Sequence, residues 1–306
     1  MSSPASPEPP RYRGRFAPSP TGPLHFGSLV AAVGSYLQAR SSGGDWLVRM
    51  EDLDTPRNAP GAADSILKDL ERFGLLWEET VVYQSNRLDI YADALDRLRR
   101  DGLVYDCGCS RRDLEDGVYP GTCRNGVPDG RQARSVRVLT HDKPVSLNDQ
   151  VQGEFVQSLD LAFGDFVVLR ADGIFAYHLA VTVDDALQSI SEIVRGADLL
   201  DSTPRQIHLQ RCLGLPTPLY AHLPVAVNAK GSKLSKQTFA QPVGARDPGE
   251  VLFEVLAFLG QSPMPELRGA PASQILAWGV SNWRLKAVPK RNKIRYERKA
   301  PYKSRG

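Results

Sequence analysis

Apolar residues recur at Phe26, Leu29, Val30, Val33 and Leu37, spacings of three and four that predict a helix over residues 26–41. Ser41-Ser42-Gly43-Gly44 stops it. Arg13 to Ala17 reads as a short strand before this helix. Trp46 to Met50 reads as a second strand and ends in an acidic run, Glu51-Asp52-Leu53-Asp54. Helical patterns follow over residues 61–74 and 86–101. Strand, helix, strand, helix with short connections predicts an α/β fold with a parallel sheet. Ligands of such sheets bind at the carboxyl ends of the strands, so the loop after Ala17 and Glu51 are expected at one site.

Further on the pattern changes. Residues 104–130 read as an irregular, Cys- and Gly-containing insertion, and residues 131–172 alternate apolar with polar positions, as in a small β-rich subdomain. From Ala176 the helical pattern returns, passes through Glu192 to Asp198, and reaches a helix over residues 203–213. His222 to Val227 reads as one strand leading into Asn228 to Gln237, a loop dense in Lys, Gly and Ser. Two short helices, residues 248–260 and 272–284, precede the C-terminal residues 290–306. There is no internal repeat.

The chain has 306 residues, 42% of them apolar, enough for a large domain or two. No run of about 18 apolar residues is present, which argues against a membrane span. Residues 1–10 are Pro/Ser-rich and read as a disordered tail, not a signal peptide, so a cytoplasmic protein is expected. The net charge is +3, but residues 290–306 hold eight Lys/Arg against one Glu, which leaves −4 for the rest. This basic tail either steers a polyanion such as RNA or is a solvated tail.

Candidate chemistry concentrates in two loops. Pro18 to Ser28, PSPTGPLHFGS, runs straight into the first helix, whose N-terminus offers unpaired N–H groups and partial positive charge to phosphate. His25 supplies a hydrogen bond to phosphate oxygen, and Gly27 lets a flat base approach the backbone. Lys233 to Gln237, KLSKQ, supplies mobile cations able to close on a triphosphate. Attack at the α-phosphate of ATP needs this inventory, with Mg²⁺ on the nucleotide, and His25, Lys233 and Lys236 are the catalytic candidates. No Walker loop is present. Arg15, Arg195, Glu51 and Tyr177 offer two cations, a carboxylate and a hydroxyl. Cys107, Cys109 and Cys123 cluster as metal ligands and not as a disulfide. Three thiolates leave a tetrahedral Zn²⁺ one ligand short, with Tyr119, water or Asp116 as the fourth.

APSPTGPLHFGSL and KLSKQ resemble the HIGH and KMSKS signatures of class I aminoacyl-tRNA synthetases. Arg15 to Gly27, Arg49 to Asp54, Phe175 to Asp185 and Val194 to Asp198 resemble the glutamyl branch, so the likeness spans residues 13–240. Only 69 residues follow KLSKQ, too few for a large anticodon-binding domain. That shortness, with the cysteines and Asn282-Trp283-Arg284-Leu285, resembles the shortened paralogue family, the glutamyl-Q tRNA(Asp) synthetases.

The resemblance implies a Rossmann-like catalytic domain in two halves, residues 11–103 and 173–240. It also implies a zinc-containing acceptor-type insertion at 104–172 and a short helical stem-contact region at 241–289, while the basic tail at 290–306 lies outside the resemblance. It implies ATP-dependent activation of L-glutamate without tRNA, and transfer to queuosine at the wobble position of tRNA(Asp). A monomer is expected. Pro18, His25, Gly27, Ser28 and Lys236 would bind ATP. Arg15, Phe16, Ala17, Pro18, Ser19, Glu51, Tyr177 and Arg195 would bind glutamate, with Arg15 on the side-chain carboxylate and Arg195 with Tyr177 on the α-carboxylate. Tyr119 would complete a structural Zn²⁺ site. A truncated enzyme charging a tRNA 3′ end, a small-molecule adenylyltransferase of the HxGH type and a non-catalytic paralogue are the rival readings.

Overall fold

The computed structural model describes residues 11–114, 116–234 and 242–297. β1 (Arg13–Phe16), β2 (Asp45–Met50) and β3 (Val82–Tyr83) form a parallel sheet with β2 in the middle. β2 is buried along its whole length, as expected for a run of large apolar residues in a strand covered on both faces. β9 (Glu192–Gly196) and β10 (Leu219–Leu223) form a second parallel pair. Ser191 N–H donates to the Arg13 carbonyl at 2.9 Å and joins this pair to β1. The result is the α/β architecture with a parallel sheet that the strand–helix alternation predicts.

α1 (Phe26–Ser41) lies in the middle of the larger core. Leu29, Val30, Ala32, Val33, Leu37 and Ala39 are all buried. One side packs on β1, β2 and β9, the other on α7 (Pro248–Phe258) and α8 (Ala272–Asn282). The helix is therefore apolar nearly all round, the pattern of a buried helix. α2 (Ala62–Arg72), α3 (Leu88–Arg100), α5 (Tyr177–Leu187) and α6 (Thr203–Leu213) complete the α/β body. A second core fills the space between α3, α5, α6 and the inserted strands.

The stretch expected to be irregular begins with a strand. β4 (Val104–Cys107) pairs antiparallel with β5 (Ser135–Val138), which pairs with β8 (Phe166–Leu169). Val104 and Tyr105 are too short an apolar run to announce a strand on their own. A hairpin, β6 (Val145–Asp149) and β7 (Gly153–Gln157), and a single turn of helix, α4 (Leu159–Ala162), lie between β5 and β8.

The single strand expected over His222 to Val227 is two strands. Pro224 has no N–H to continue the ladder. β10 ends at Leu223, and β11 (Val225–Val227) takes a different partner, β12 (Lys293–Arg295). The first part of the basic run is thus built into the fold. Residues 1–10, 298–306 and 235–241, the last with Lys236 and Gln237 of the lysine loop, lie outside the described residues. Among the described residues no helix is long and apolar enough to cross a membrane.

Candidate active site

His25 is the N-cap of α1. Its Nδ1 accepts from the Ser28 N–H at 3.1 Å, and the Ser28 hydroxyl accepts from the His25 N–H at 2.9 Å. This reciprocal capping box satisfies donors at the helix start. With Nδ1 as acceptor, the neutral ring carries its proton on Nε2 and presents a donor there. The sequence points to phosphate binding for both residues; the cap is an additional role that fixes the histidine rotamer. Gly27 is needed for a second reason as well. A Cβ there would stand 3.3 Å from the His25 ring and 3.4 Å from the Leu234 carbonyl oxygen, so the two signature segments pack against each other at this glycine.

A cleft of about 710 Å³ lies beside this helix start. It is lined by Arg15, Phe16, Ala17, Pro18, Ser19, His25, Gly27, Ser28, Glu51, Tyr177, Arg195 and Lys233. Every described residue expected to bind ATP or glutamate therefore faces one cavity, although the residues come from five separate stretches of chain. The loop is held there by Glu51 N–H to the Pro18 carbonyl and Ala59 N–H to the Pro20 carbonyl, each 3.0 Å. Lys233 is anchored at the rim, its Nζ 2.5 Å from Asp198 Oδ2.

Arg15 is buried and paired with Asp185, Nε to Oδ1 at 3.0 Å and Nη2 to Oδ2 at 3.2 Å. Its Nη1 makes no hydrogen bond among the described residues. Arg49, fully buried in β2, shares Asp185 at 2.9 Å and also reaches Glu51 at 3.3 Å and Gln188 at 2.7 Å. Asp184 accepts from Gln84, Arg87 and Tyr91 at 2.7–2.8 Å. Burial raises the Asp185 carboxyl, but Arg15 and Arg49 outweigh it and hold it below the usual range. Burial lifts the Glu51 carboxyl, and Arg49 and Arg15 only partly offset it. A cation at Glu51 would favour its charged form further. Asp184 and Asp185 escape a sequence reading of roles, yet their signal is visible: two acids inside an apolar helical stretch, and one arginine inside an apolar strand, must find each other.

Arg195 has another kind of environment. Its Nη2 donates to Thr203 Oγ1 and Gln206 Oε1, both 2.8 Å, and its Nε to His222 Nε2 at 3.1 Å. The Tyr177 hydroxyl is 3.5 Å from Nη1. All these partners are neutral, and among the described residues no carboxylate pairs with this buried guanidinium. A buried cation of this kind is incomplete until an anion arrives. His222 is turned by Asp149, whose Oδ2 lies 2.6 Å from Nδ1. Burial lowers the histidine's proton affinity more than Asp149 raises it, so Nδ1–H donates to Asp149 and Nε2 accepts from Arg195. Asp149 itself is held at Oδ1 by the N–H groups of Val151, Gln152 and His222 at 2.8–3.0 Å. Neither Asp149 nor His222 is picked out by any motif.

Away from the cleft, the Sγ atoms of Cys107, Cys109 and Cys123 lie within 4.8 Å of one another and are buried, an arrangement that could hold a metal ion. The Tyr119 hydroxyl is 3.5 Å from Cys107 Sγ and 3.9 Å from Cys109 Sγ, while Asp116 is exposed. Arg137 donates to Cys107 at 3.2 Å and lies over the Tyr119 ring at 3.8 Å; Arg131 donates to Cys109 at 3.3 Å. Burial pushes the Cys107 thiol up, but hydrogen bonding by Tyr119, the Cys109 N–H and Arg137 brings it down to about 7. Gly164 has φ of +64° and faces the Tyr119 backbone so closely that a Cβ would sit 2.1 Å from its carbonyl oxygen. Only glycine fits there.

Residues 11–118 and 120–268 match the profile of the class I tRNA synthetases for E and Q, catalytic domain. Among curated proteins, the chain is 56% identical over 293 residues to the glutamyl-Q tRNA(Asp) synthetase of Dechloromonas aromatica, covering 92% of this chain and 97% of that one. It is also 56% identical over 289 residues to the protein of the same name from Aromatoleum aromaticum, covering 92% and 91%. Among solved structures, a glutamate tRNA ligase from Elizabethkingia meningosepticum, in complex with its amino acid, superposes with a TM-score of 0.78 at 26% identity, covering 94% of this chain and 67% of that one.

Two predictions follow from the buried charges. Asp185→Asn leaves two guanidinium groups without their carboxylate and is expected to lower stability by about 3–5 kcal/mol in urea unfolding. A loss below about 1 kcal/mol would refute the account of this cluster. His178, His208 and His222 are all held below the ordinary histidine value, chiefly by burial. Near pH ~6 the unfolded chain then binds more protons than the folded one, so this stability is intact above about pH 6.5 and is lost as pH falls. His178 Nδ1 is buried without a hydrogen-bond partner. His178→Leu is therefore expected to lose less stability than the wild type between about pH 7.5 and ~6. Equal losses in urea titrations would contradict the assignment.

Proposed function

We propose, for a chain that belongs to the class I glutamyl-Q tRNA(Asp) synthetases, that it activates L-glutamate with ATP and esterifies it to queuosine in tRNA(Asp). The observation that carries this reading is the single cleft in which two buried arginines, one carboxylate and the capped histidine meet. Glutamate answers all of these groups. Its side-chain carboxylate goes to Arg15, whose Nη1 is available, and its α-carboxylate lies on the side of Arg195 and Tyr177. Glu51 accepts from its ammonium group. Glutamine would leave Arg15 facing a neutral amide, a strong basis for rejection.

In the first step a glutamate α-carboxylate oxygen attacks the α-phosphorus of ATP. The new O–P bond forms as the bond to the bridging oxygen breaks, and pyrophosphate leaves with that electron pair. His25 Nε2–H donates to phosphoryl oxygen, the N-terminus of α1 adds its unpaired N–H groups, and Lys233 and Lys236 meet the growing charge on the triphosphate. Mg²⁺ arriving with ATP supplies further positive charge on the phosphate oxygens. In the second step a hydroxyl oxygen of the queuosine cyclopentenediol attacks the glutamyl carbonyl carbon and loses its proton. AMP departs with the electrons of the broken C–O bond, and the hydroxyl proton passes to solvent.

Zn²⁺ suits the cysteine cluster and would be held by Cys107, Cys109 and Cys123 with Tyr119 as the fourth ligand. Three thiolates and a phenolate would exceed the ion's charge by two, and Arg131 and Arg137 stand ready to offset that excess. The site's part is structural.

The decisive experiment supplies labelled glutamate, ATP and Mg²⁺ with tRNA(Asp) that either contains or lacks queuosine. Label is expected only on the queuosine-containing tRNA, and it should survive removal of the 3′-terminal adenosine. Label lost with that adenosine would instead mean an ordinary glutamyl-tRNA synthetase. For the metal, the purified chain is expected to carry about one zinc by elemental analysis and Cys109→Ser to carry far less. Equal zinc in both would remove the site.

A further inference from the structure

The C-terminal strand pairs with the strand from which the lysine loop departs, and the residue that follows it stacks on the first residue of α1. One edge of β11 pairs with β12 in the register Val225–Lys293, Ala226–Ile294, Val227–Arg295. The other edge carries the start of the lysine loop: Leu234 N–H donates to the Ala226 carbonyl at 2.9 Å, and Lys233 bridges to Val227. Directly after β12, Tyr296 N–H donates to the Val227 carbonyl at 2.9 Å. The Tyr296 ring then stacks on Phe26, centroids 3.7 Å apart and planes 11° from parallel. Phe26 is the first residue of α1 and adjoins His25. The far end of the ring is fixed as well. The Tyr296 hydroxyl donates to Glu254 and accepts from Arg246 Nη1 at 3.2 Å, and Arg246 Nη2 reaches Glu254 at 2.8 Å. All of β12 and Tyr296 lies beyond the residues matched by the family profile.

We infer that Tyr296 is a positioning residue for the nucleotide half of the site. It ties the start of α1, with His25, to the strand from which the lysine loop departs. The inference rests on the adenylation reaction proposed above. Phosphate-binding groups work only when held to a fraction of an ångström. The proposed glutamate ligands Arg15, Arg195 and Tyr177 sit on β1, β9 and α5, to which Tyr296 makes no hydrogen bond or ring contact among the described residues. Loss of the ring should therefore disturb ATP use and spare glutamate binding.

The test compares full-length wild type, Tyr296→Phe and Tyr296→Ala in glutamate-dependent ATP–pyrophosphate exchange without tRNA. Calorimetric titration with ATP–Mg²⁺ and thermal unfolding accompany it. Without tRNA, any loss is separate from a role of the basic tail in binding RNA. Tyr296→Phe keeps the stack and should stay within about twofold of wild type, while Tyr296→Ala should lose about tenfold in kcat/KM for ATP with KM for glutamate within about twofold. Unchanged ATP parameters in Tyr296→Ala would overturn the inference. So would ATP and glutamate parameters that fall together with the folded fraction. Absence of exchange in the wild type would instead strike at the proposed reaction, and the ATP affinities of the three proteins would still decide the role of Tyr296.

Discussion

Asp185 holds two guanidinium groups in a place that solvent scarcely reaches, and the geometry of the cleft depends on that carboxylate. It takes Arg15 from β1 and Arg49 from β2 while sitting on α5. Three elements distant in sequence are thereby locked at one point. Asp184, its neighbour, ties the same helix to Arg87 and Tyr91 at the start of α3. An apolar replacement could match the stability of such a cluster. It could not leave one arginine edge available to a ligand. The cluster thus explains how a cation can be kept at the floor of a cleft: most of its charge is answered by the protein, and Nη1 keeps a donor edge that no hydrogen bond among the described residues takes up.

Arg195 represents the opposite arrangement. Its partners orient it without neutralising it, so its charge is answered only by what enters the cleft. Two arginines that look equivalent in sequence are therefore electrostatically different. This asymmetry suits a substrate with two carboxylates of unequal surroundings.

Much of this was legible in the chain. The helix 26–41, the parallel strands and the convergence of the Pro18–Ser28 loop with Glu51 follow from periodicity and from where ligands bind on parallel sheets. The three thiols follow from spacing. What escaped was what depends on three-dimensional partners. Asp149 and His222 act through hydrogen bonds between residues 73 positions apart. Asp185 and Arg49 meet across 136 positions. The break at Pro224 was readable from proline chemistry, but the choice of β12 as a new partner was not, because it depends on a segment that looked merely basic. His25 shows the limit of motif reading from the other side: its cap on Ser28 is local and chemical, yet a functional pattern distracts from it.

Asp149 lies at the end of β6, inside the inserted hairpin, while His222 and Arg195 belong to the parallel sheet. The insertion is therefore not a detachable module. Excising residues 104–172 to obtain a minimal catalytic core, or exchanging the hairpin for that of another protein, would remove the carboxylate that orients His222 and so loosen Arg195. Any chimera built on this scaffold has to carry an acid at the end of that hairpin, or redesign how the sheet holds its second arginine.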